Sequence, residues 1–314
     1  PKVKRRYSTI LRATSSPSAS NISKGDLRHS ANIVMIQINK IGNKMETNIN
    51  DLSFEDLLVW CCSADETVLR NTIKSTLTKL NFSFKEDDYK SYRATGKFAQ
   101  ENIHNLLFTR GNPKYCLVAH TDVCRDHTSF SNEFVRVPPT PTFKMKNGRR
   151  ILQDKDCEIQ VGGDDRVGVT VSLWIAMHTE HDLGLLYTTD EEVGLISADY
   201  VQFPELKDFK LLIQIDRGNH SNQIVPTIGG VKLCDQSMLD SIFGSLKNTG
   251  FVKTAVVGRA TDVLSIKANK MCQNAINLTC GYYDSIGDSG EEYIDVEEAK
   301  DTAKFVRHLI VSNV

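Results

Sequence analysis

Several features that would fix a function class are absent from this sequence. No run of eighteen or more apolar residues occurs, which excludes a membrane-spanning helix. None of the eight cysteines (61, 62, 116, 124, 157, 234, 272 and 280) forms a CxxC pair, which argues against a structural zinc ribbon. A net charge of -1 leaves no basic surplus to attract nucleic acid or an anionic membrane, so neither is expected as a partner. No internal repeat or low-complexity block follows residue 30. Cysteines inside apolar runs, such as Cys116 in YCLVAH and Cys280 in INLTCG, read as small buried hydrophobes. Reduced thiols and a cytoplasmic setting fit that usage better than a disulfide framework.

What is present suffices for one large domain: 314 residues, 40% of them hydrophobic. Residues 1–48 stand apart. Their first thirty positions carry Lys2, Lys4, Arg5, Arg6, Arg12, Lys24 and Arg28 and many serines against one acid, Asp26. Such a stretch buries little apolar surface and is expected to be a disordered tail, or sequence upstream of a start at Met45. An organelle transit peptide shares this composition. NIVMIQI (32–38) has the makings of a stray strand. From 49 to 314 the pattern is that of a single catalytic domain.

Asn50 or Asp51 is placed to cap a helix running to Cys62. Residues 65–80 carry Val68, Leu69, Ile73, Leu77 and Leu80 at helical spacing. YCLVAH (115–120), LGLLYTT (183–189), KLLIQID (210–216) and AINLTCG (275–281) are continuous apolar runs of strand length, the texture of strands buried on both faces of a parallel sheet. Helical stretches at 166–180, about 235–248 and 296–312 lie between and after them. Strands alternating with helices predict an α/β fold.

The informative feature is where the acids fall. His120 and Asp122 follow YCLVA; Asp190, Glu191 and Glu192 follow LGLLYTT; Asp216 follows LLIQI; Asp164 and Asp165 follow VGG and open a helix. In an open α/β sheet the carboxyl ends of the strands form the crevice where ligands bind. Carboxylates gathered there repel one another without a cation, and an imidazole among them suits Zn²⁺, with Mn²⁺ or Co²⁺ as alternatives. Singly, each motif has a plainer reading: a structural His, a solvated acid pair, a helix-capping turn. Their order and spacing together give the signal.

CLVAHTDV, VGGDDRVGV, YTTDEEVG and IQIDRG, in that order, resemble the zinc exopeptidase clan, which includes the M20, M28 and M42 metallopeptidase families and their deacylase relatives. The resemblance covers about residues 52–312. It implies a three-layer sandwich with a mostly parallel central sheet, a phosphorylase/hydrolase-like zinc peptidase fold. It also implies roles. His120 would bind the first zinc, and Asp122 would hold the His120 ring by its other nitrogen. Asp164 would bridge two metals, Glu192 would bind the second, and Asp216 would complete the first site. Glu191 would be general base in peptide-bond hydrolysis by zinc-activated water.

The sequence departs from the clan at one place. The last His ligand of the clan lies in a segment resembling GYYNxH followed by EEY, and here that segment reads GYYDSIGDSGEEYIDV, with Ile286 near the expected position. Asp284 or Asp288 is the substitute ligand to consider, so one or two zinc ions are expected. Among the other imidazoles, His104, His127, His178, His181 and His220 are the nearby candidates, and His220 stands four residues past Asp216. Only about 65 residues separate Asp216 from Gly281, too few for a large lid domain. RATDVLSI (259–266) is expected beside the cleft, with Arg217 or Arg259 available to a substrate carboxylate. The expected activity is that of an aminopeptidase on short peptides. The alternatives are an N-acyl amino acid deacylase and a catalytically impaired relative that binds peptides or a protein. Oligomeric state is left open.

Overall fold

The computed structural model describes residues 49–89, 103–123, 138–283 and 291–314. Segment 1–48, including the strand-like 32–38, lies outside the described residues, as do Cys124, His127, Asp284, Ile286 and Asp288.

Two helices begin the described chain: α1 (Phe54–Ser63) and α2 (Glu66–Lys79). The cap of α1 is Ser53, whose hydroxyl accepts from the Asp56 amide, because Ile49–Asp51 is taken up by a 3₁₀ turn. The Asn50/Asp51 cap is therefore corrected to Ser53. Asp65 caps α2 by accepting from the Thr67 amide. On α2, Leu69, Ile73 and Leu77 are buried, but Val68 faces solvent. The buried stripe takes in Glu66 and Arg70 instead, whose polar heads reach the strand ends described below.

The strands β1 (Ser83–Glu86), β2 (Leu106–Arg110), β3 (Tyr115–His120), β6 (Leu183–Thr188), β7 (Leu211–Arg217), β8 (Gln223–Ile228), β9 (Val231–Lys232), β10 (Thr254–Gly258) and β11 (Ala275–Thr279) form one sheet. Its order is β1-β2-β6-β3-β7-β11-β8-β10, with β9 pairing β8. The expected mostly parallel sheet is observed at its centre. There β6, β3, β7 and β11 run parallel, as β8 and β10 do at one edge, while the other flanking pairs are antiparallel. The hairpin β4 (Pro141–Lys146) and β5 (Arg149–Asp154) joins β12 (Tyr282–Tyr283) and β13 (Tyr293–Asp295) in a second, antiparallel sheet ordered β12-β13-β5-β4.

Alternation along the central strands builds three layers. Leu117, Ala119, Leu185, Tyr187, Leu211, Ile213 and Ile215 face the larger core. That core is roofed by α1, α2, α3 (Gly163–Met177), α5 (Gln236–Ser245) and α7 (Val296–Ser312). Cys116, Val118, Leu186 and Leu212 face the opposite core, covered by residues 201–209, after α4 (Ile196–Asp199), and by α6 (Asp262–Ala268). Each fully buried Leu, Ile or Val side chain among them contributes roughly 1.5–3 kcal/mol. That two-sided burial explains why these strands read as unbroken apolar runs. The chain from Gly218 to Gly281 is spent on β8, β9, α5, β10, α6 and β11, with no inserted lid domain. No helix among the described residues is long and apolar enough to cross a membrane.

Candidate metal centre

Because β6, β3 and β7 are adjacent and parallel, their carboxyl ends open on one rim. β3 ends at His120, opposite Thr188 of β6; Asp216 lies two residues beyond Gln214, which pairs with Val118. The helix α3 packs against β3 and β7 and brings Asp164 to the same rim. Gly168 makes that approach possible. A Cβ there would stand 2.5 Å from the Ile215 carbonyl oxygen and 2.3 Å from Asp165 Oδ1, closer than packed atoms allow.

His120 Nε2 lies 3.1 Å from Asp164 Oδ1, 3.6 Å from Asp216 Oδ1 and 3.9 Å from Glu191 Oε2. Ligand atoms of His120, Asp164 and Asp216 all fall within 4.8 Å of one another, the one such group of three among the described residues. The other ring nitrogen, Nδ1, is 3.0 Å from the Asp122 carbonyl oxygen and 3.4 Å from its Oδ1. The Asp122 carboxylate also accepts from the amides of Glu191 and Glu192, each at 3.3 Å, so one buried acid orients both the ring and the acid pair. The Glu192 carboxylate lies outside the group of three. Asp190, with positive φ, turns to the Tyr89 hydroxyl at 2.6 Å.

The surroundings fix this arrangement from below. Asp165 is fully buried and accepts from the His120 amide (3.2 Å) and the Gly168 amide (2.9 Å). Glu292, from the EEY sequence, accepts from the amides of Gly162 (2.6 Å) and Asp164 (3.3 Å) and so holds the GGDD turn. Glu66 of α2 lies 2.7 Å from the Thr121 hydroxyl and 2.9 Å from that of Thr189, tying the ends of β3 and β6 together. Between β7 and β11 the ladder shifts register. There the Asn277 side chain stands in for backbone partners, accepting from the Asp216 amide (3.0 Å) and donating to its carbonyl (3.1 Å). Sequence alone assigns Glu66, Thr121, Thr189 and Asn277 no part in the site, although Gln214 and Asn277, single amides in largely apolar strands, are visible signals.

Electrostatics set the demand for a cation. Burial pushes Asp216 up to about 7, and the neighbouring Asp164 adds to it. Burial drives Glu191 well above the usual carboxylate range against the pull of His120, with Asp216, Asp262 and Asp164 reinforcing it. Burial works to lower His120, but Asp122, Asp164 and Asp216 outweigh it and raise the imidazole well above its ordinary value. Asp164 is also raised by burial but ends lowered through its hydrogen bond to His120. Two carboxylates 4 Å apart repel by roughly 4 kcal/mol at an effective dielectric of 20. One imidazolium cannot offset several. A divalent ion would, and one imidazole with carboxylate oxygens is a donor set that suits Zn²⁺, Mn²⁺ or Co²⁺. The residues therefore fit the ion.

The other candidate histidines among the described residues sit elsewhere. His178 stacks on Trp174, and the His181 carbonyl accepts from Arg110. The His104 carbonyl accepts from Arg70. His220 joins the Tyr283 hydroxyl and Glu298, both at 2.8 Å. Arg259 is exposed, and Arg217 lies against β10 at Gly258.

No family model and no curated protein sequence matches this chain. Solved structures do. Aminopeptidase PepT from Bacillus cereus superposes with a TM-score of 0.63 at 15% identity, over 82% of this chain and 98% of that one. The Pyrococcus horikoshii TET1 peptidase, which can assemble into a tetrahedron or a large octahedral shell, gives 0.57 at 13%, over 82% and 99%. Legionella pneumophila LapA aminopeptidase gives 0.53 at 12%, over 96% and 79%. The chain has the phosphorylase/hydrolase-like peptidase fold of these proteins.

Proposed function

We propose that this chain is a metal-dependent exopeptidase, an aminopeptidase acting on short peptides. The observation that carries the reading is the meeting of His120, Asp164 and Asp216, from three separate stretches of chain, within 4.8 Å. Peptidases of the same fold, named aminopeptidases, support it.

In this reading His120, Asp164 and Asp216 hold a zinc ion, with Mn²⁺ or Co²⁺ as alternatives. A second ion would draw on Asp164, Glu192 and one of Asp284 and Asp288. Bound metal supplies Lewis-acid polarisation of the scissile carbonyl and a lowered pKa for water. Glu191 is the general base: burial makes its carboxylate more basic than usual, so the ionised group can take a proton from water and pass it to the departing amine. Asp122 keeps the His120 ring turned and the Glu191 amide in place. Glu191→Gln should lower turnover of aminoacyl substrates by about 10²–10⁴-fold with metal content unchanged. Turnover equal to wild type would reject the assignment.

The missing His in GYYDSIGDSGEEY favours one second reading, a relative that binds peptides without cleaving them. Protein that takes up no zinc and gains no activity with Zn²⁺ or Co²⁺ would support it. Parallel panels of aminoacyl and N-acyl amino acid substrates separate peptidase from deacylase.

A further inference from the structure

The two oxygens of Asp216 have different surroundings. Oδ1 faces His120 Nε2 at 3.6 Å. Oδ2 accepts from Gln214 Nε2 at 3.1 Å and from the Thr261 hydroxyl, which uses both of its lone pairs. Gln214 is itself pinned at both ends of its amide. Its Oε1 accepts from the Val263 amide at 2.9 Å, and its Nε2 also reaches Asp262 Oδ2 at 3.3 Å. Asp262 Oδ2 accepts from the Thr188 hydroxyl at 2.6 Å. Asp216, Gln214, Thr261, Asp262 and Thr188 are all buried. The network thus joins the ends of β6 and β7 to the start of α6, using the TDV of RATDVLSI.

This network is expensive to keep. Asp262 is fully buried, and its Oδ1 has no hydrogen-bond partner among the described residues. An unmet buried acceptor destabilises a fold by about 1–3 kcal/mol, more when charged. An apolar residue would pack α6 against the sheet at lower cost. What the carboxylate does that an apolar residue cannot is hold the Gln214 amide in one orientation, with its N–H pointing at Asp216.

We propose that Thr261, Gln214 and Asp262 form a positioning clamp that offers only Oδ1 of Asp216 to the cation. The clamp enforces ligation through one oxygen and sets metal affinity. It rests on the metal centre proposed above. None of the three touches the ion; each acts through Asp216. Removing the Thr261 donor frees a lone pair on Oδ2 and lets the carboxylate rotate.

The test is Co²⁺ binding to the chelator-stripped chain, read by competition with a chromophoric chelator and by the visible d–d spectrum, which follows coordination geometry. Thr261→Val keeps the side-chain shape without the donor. It should weaken Co²⁺ affinity by about 10–100-fold and alter the spectrum. Thr261→Ser should restore both, and thermal unfolding of the metal-free protein should separate loss of the fold from loss of the clamp. Gln214→Met, read the same way, serves where Thr261→Val does not fold. Wild-type affinity and spectrum in Thr261→Val overturn the clamp alone. A wild-type chain that binds no Co²⁺ overturns the metal centre and the clamp with it.

Discussion

Substituting Asp262 by Asn isolates the electrostatic burden of the site in a single measurement. Burial pushes this carboxyl up from 3.8 to about 6, with Asp122 adding to the rise. The unfolded chain therefore ionises Asp262 from about pH 4, whereas the folded metal-free chain keeps its proton until about pH 6. Over that window the unfolded state binds fewer protons, so stability falls as pH rises. Two units at 1.36 kcal/mol each make a loss of about 3 kcal/mol, complete above pH 6. The Asn variant lacks that slope. It carries instead a pH-independent deficit of about 1–3 kcal/mol, because an amide N–H₂ replaces the unpartnered oxygen. Urea unfolding of both metal-free proteins from pH 4 to 7 supplies the comparison. The wild-type curve should approach the variant curve as pH rises; curves that stay parallel would refute the reasoning.

Two other substitutions address the frame of the site. Gly168→Ala places a methyl group against the Ile215 carbonyl and the Asp165 carboxylate, and should cost at least about 1–3 kcal/mol while displacing α3. Denaturation midpoints and metal titration check it. Glu292→Gln removes the charge that the amides of Gly162 and Asp164 share, and should destabilise the protein by about 1–3 kcal/mol with weaker metal retention on dialysis.

The sequence made the parallel centre of the sheet legible because its strands are buried on both faces. YCLVAH coincides with β3, and LGLLYT and AINLT with β6 and β11. Exposed and edge strands left weaker marks: all four residues of β1 are exposed, and β10 alternates irregularly. Val68 misled because helical spacing alone does not say which apolar residue faces inward. On α2 the inward stripe is completed by Glu66 and Arg70, which serve a polar network at the strand ends. At the site, residues directly following strands could be read from position in the chain. The Gln214, Asn277 and Asp262 contacts could not, since they join segments 48 to 61 residues apart.

Crystals of the chain saturated with Zn²⁺, measured with X-rays on both sides of the zinc absorption edge, test the central claim most directly. An anomalous peak is expected within bonding distance of His120 Nε2, Asp164 and Asp216 Oδ1. Zinc bound only elsewhere, or no peak at that rim in saturated crystals, would contradict it.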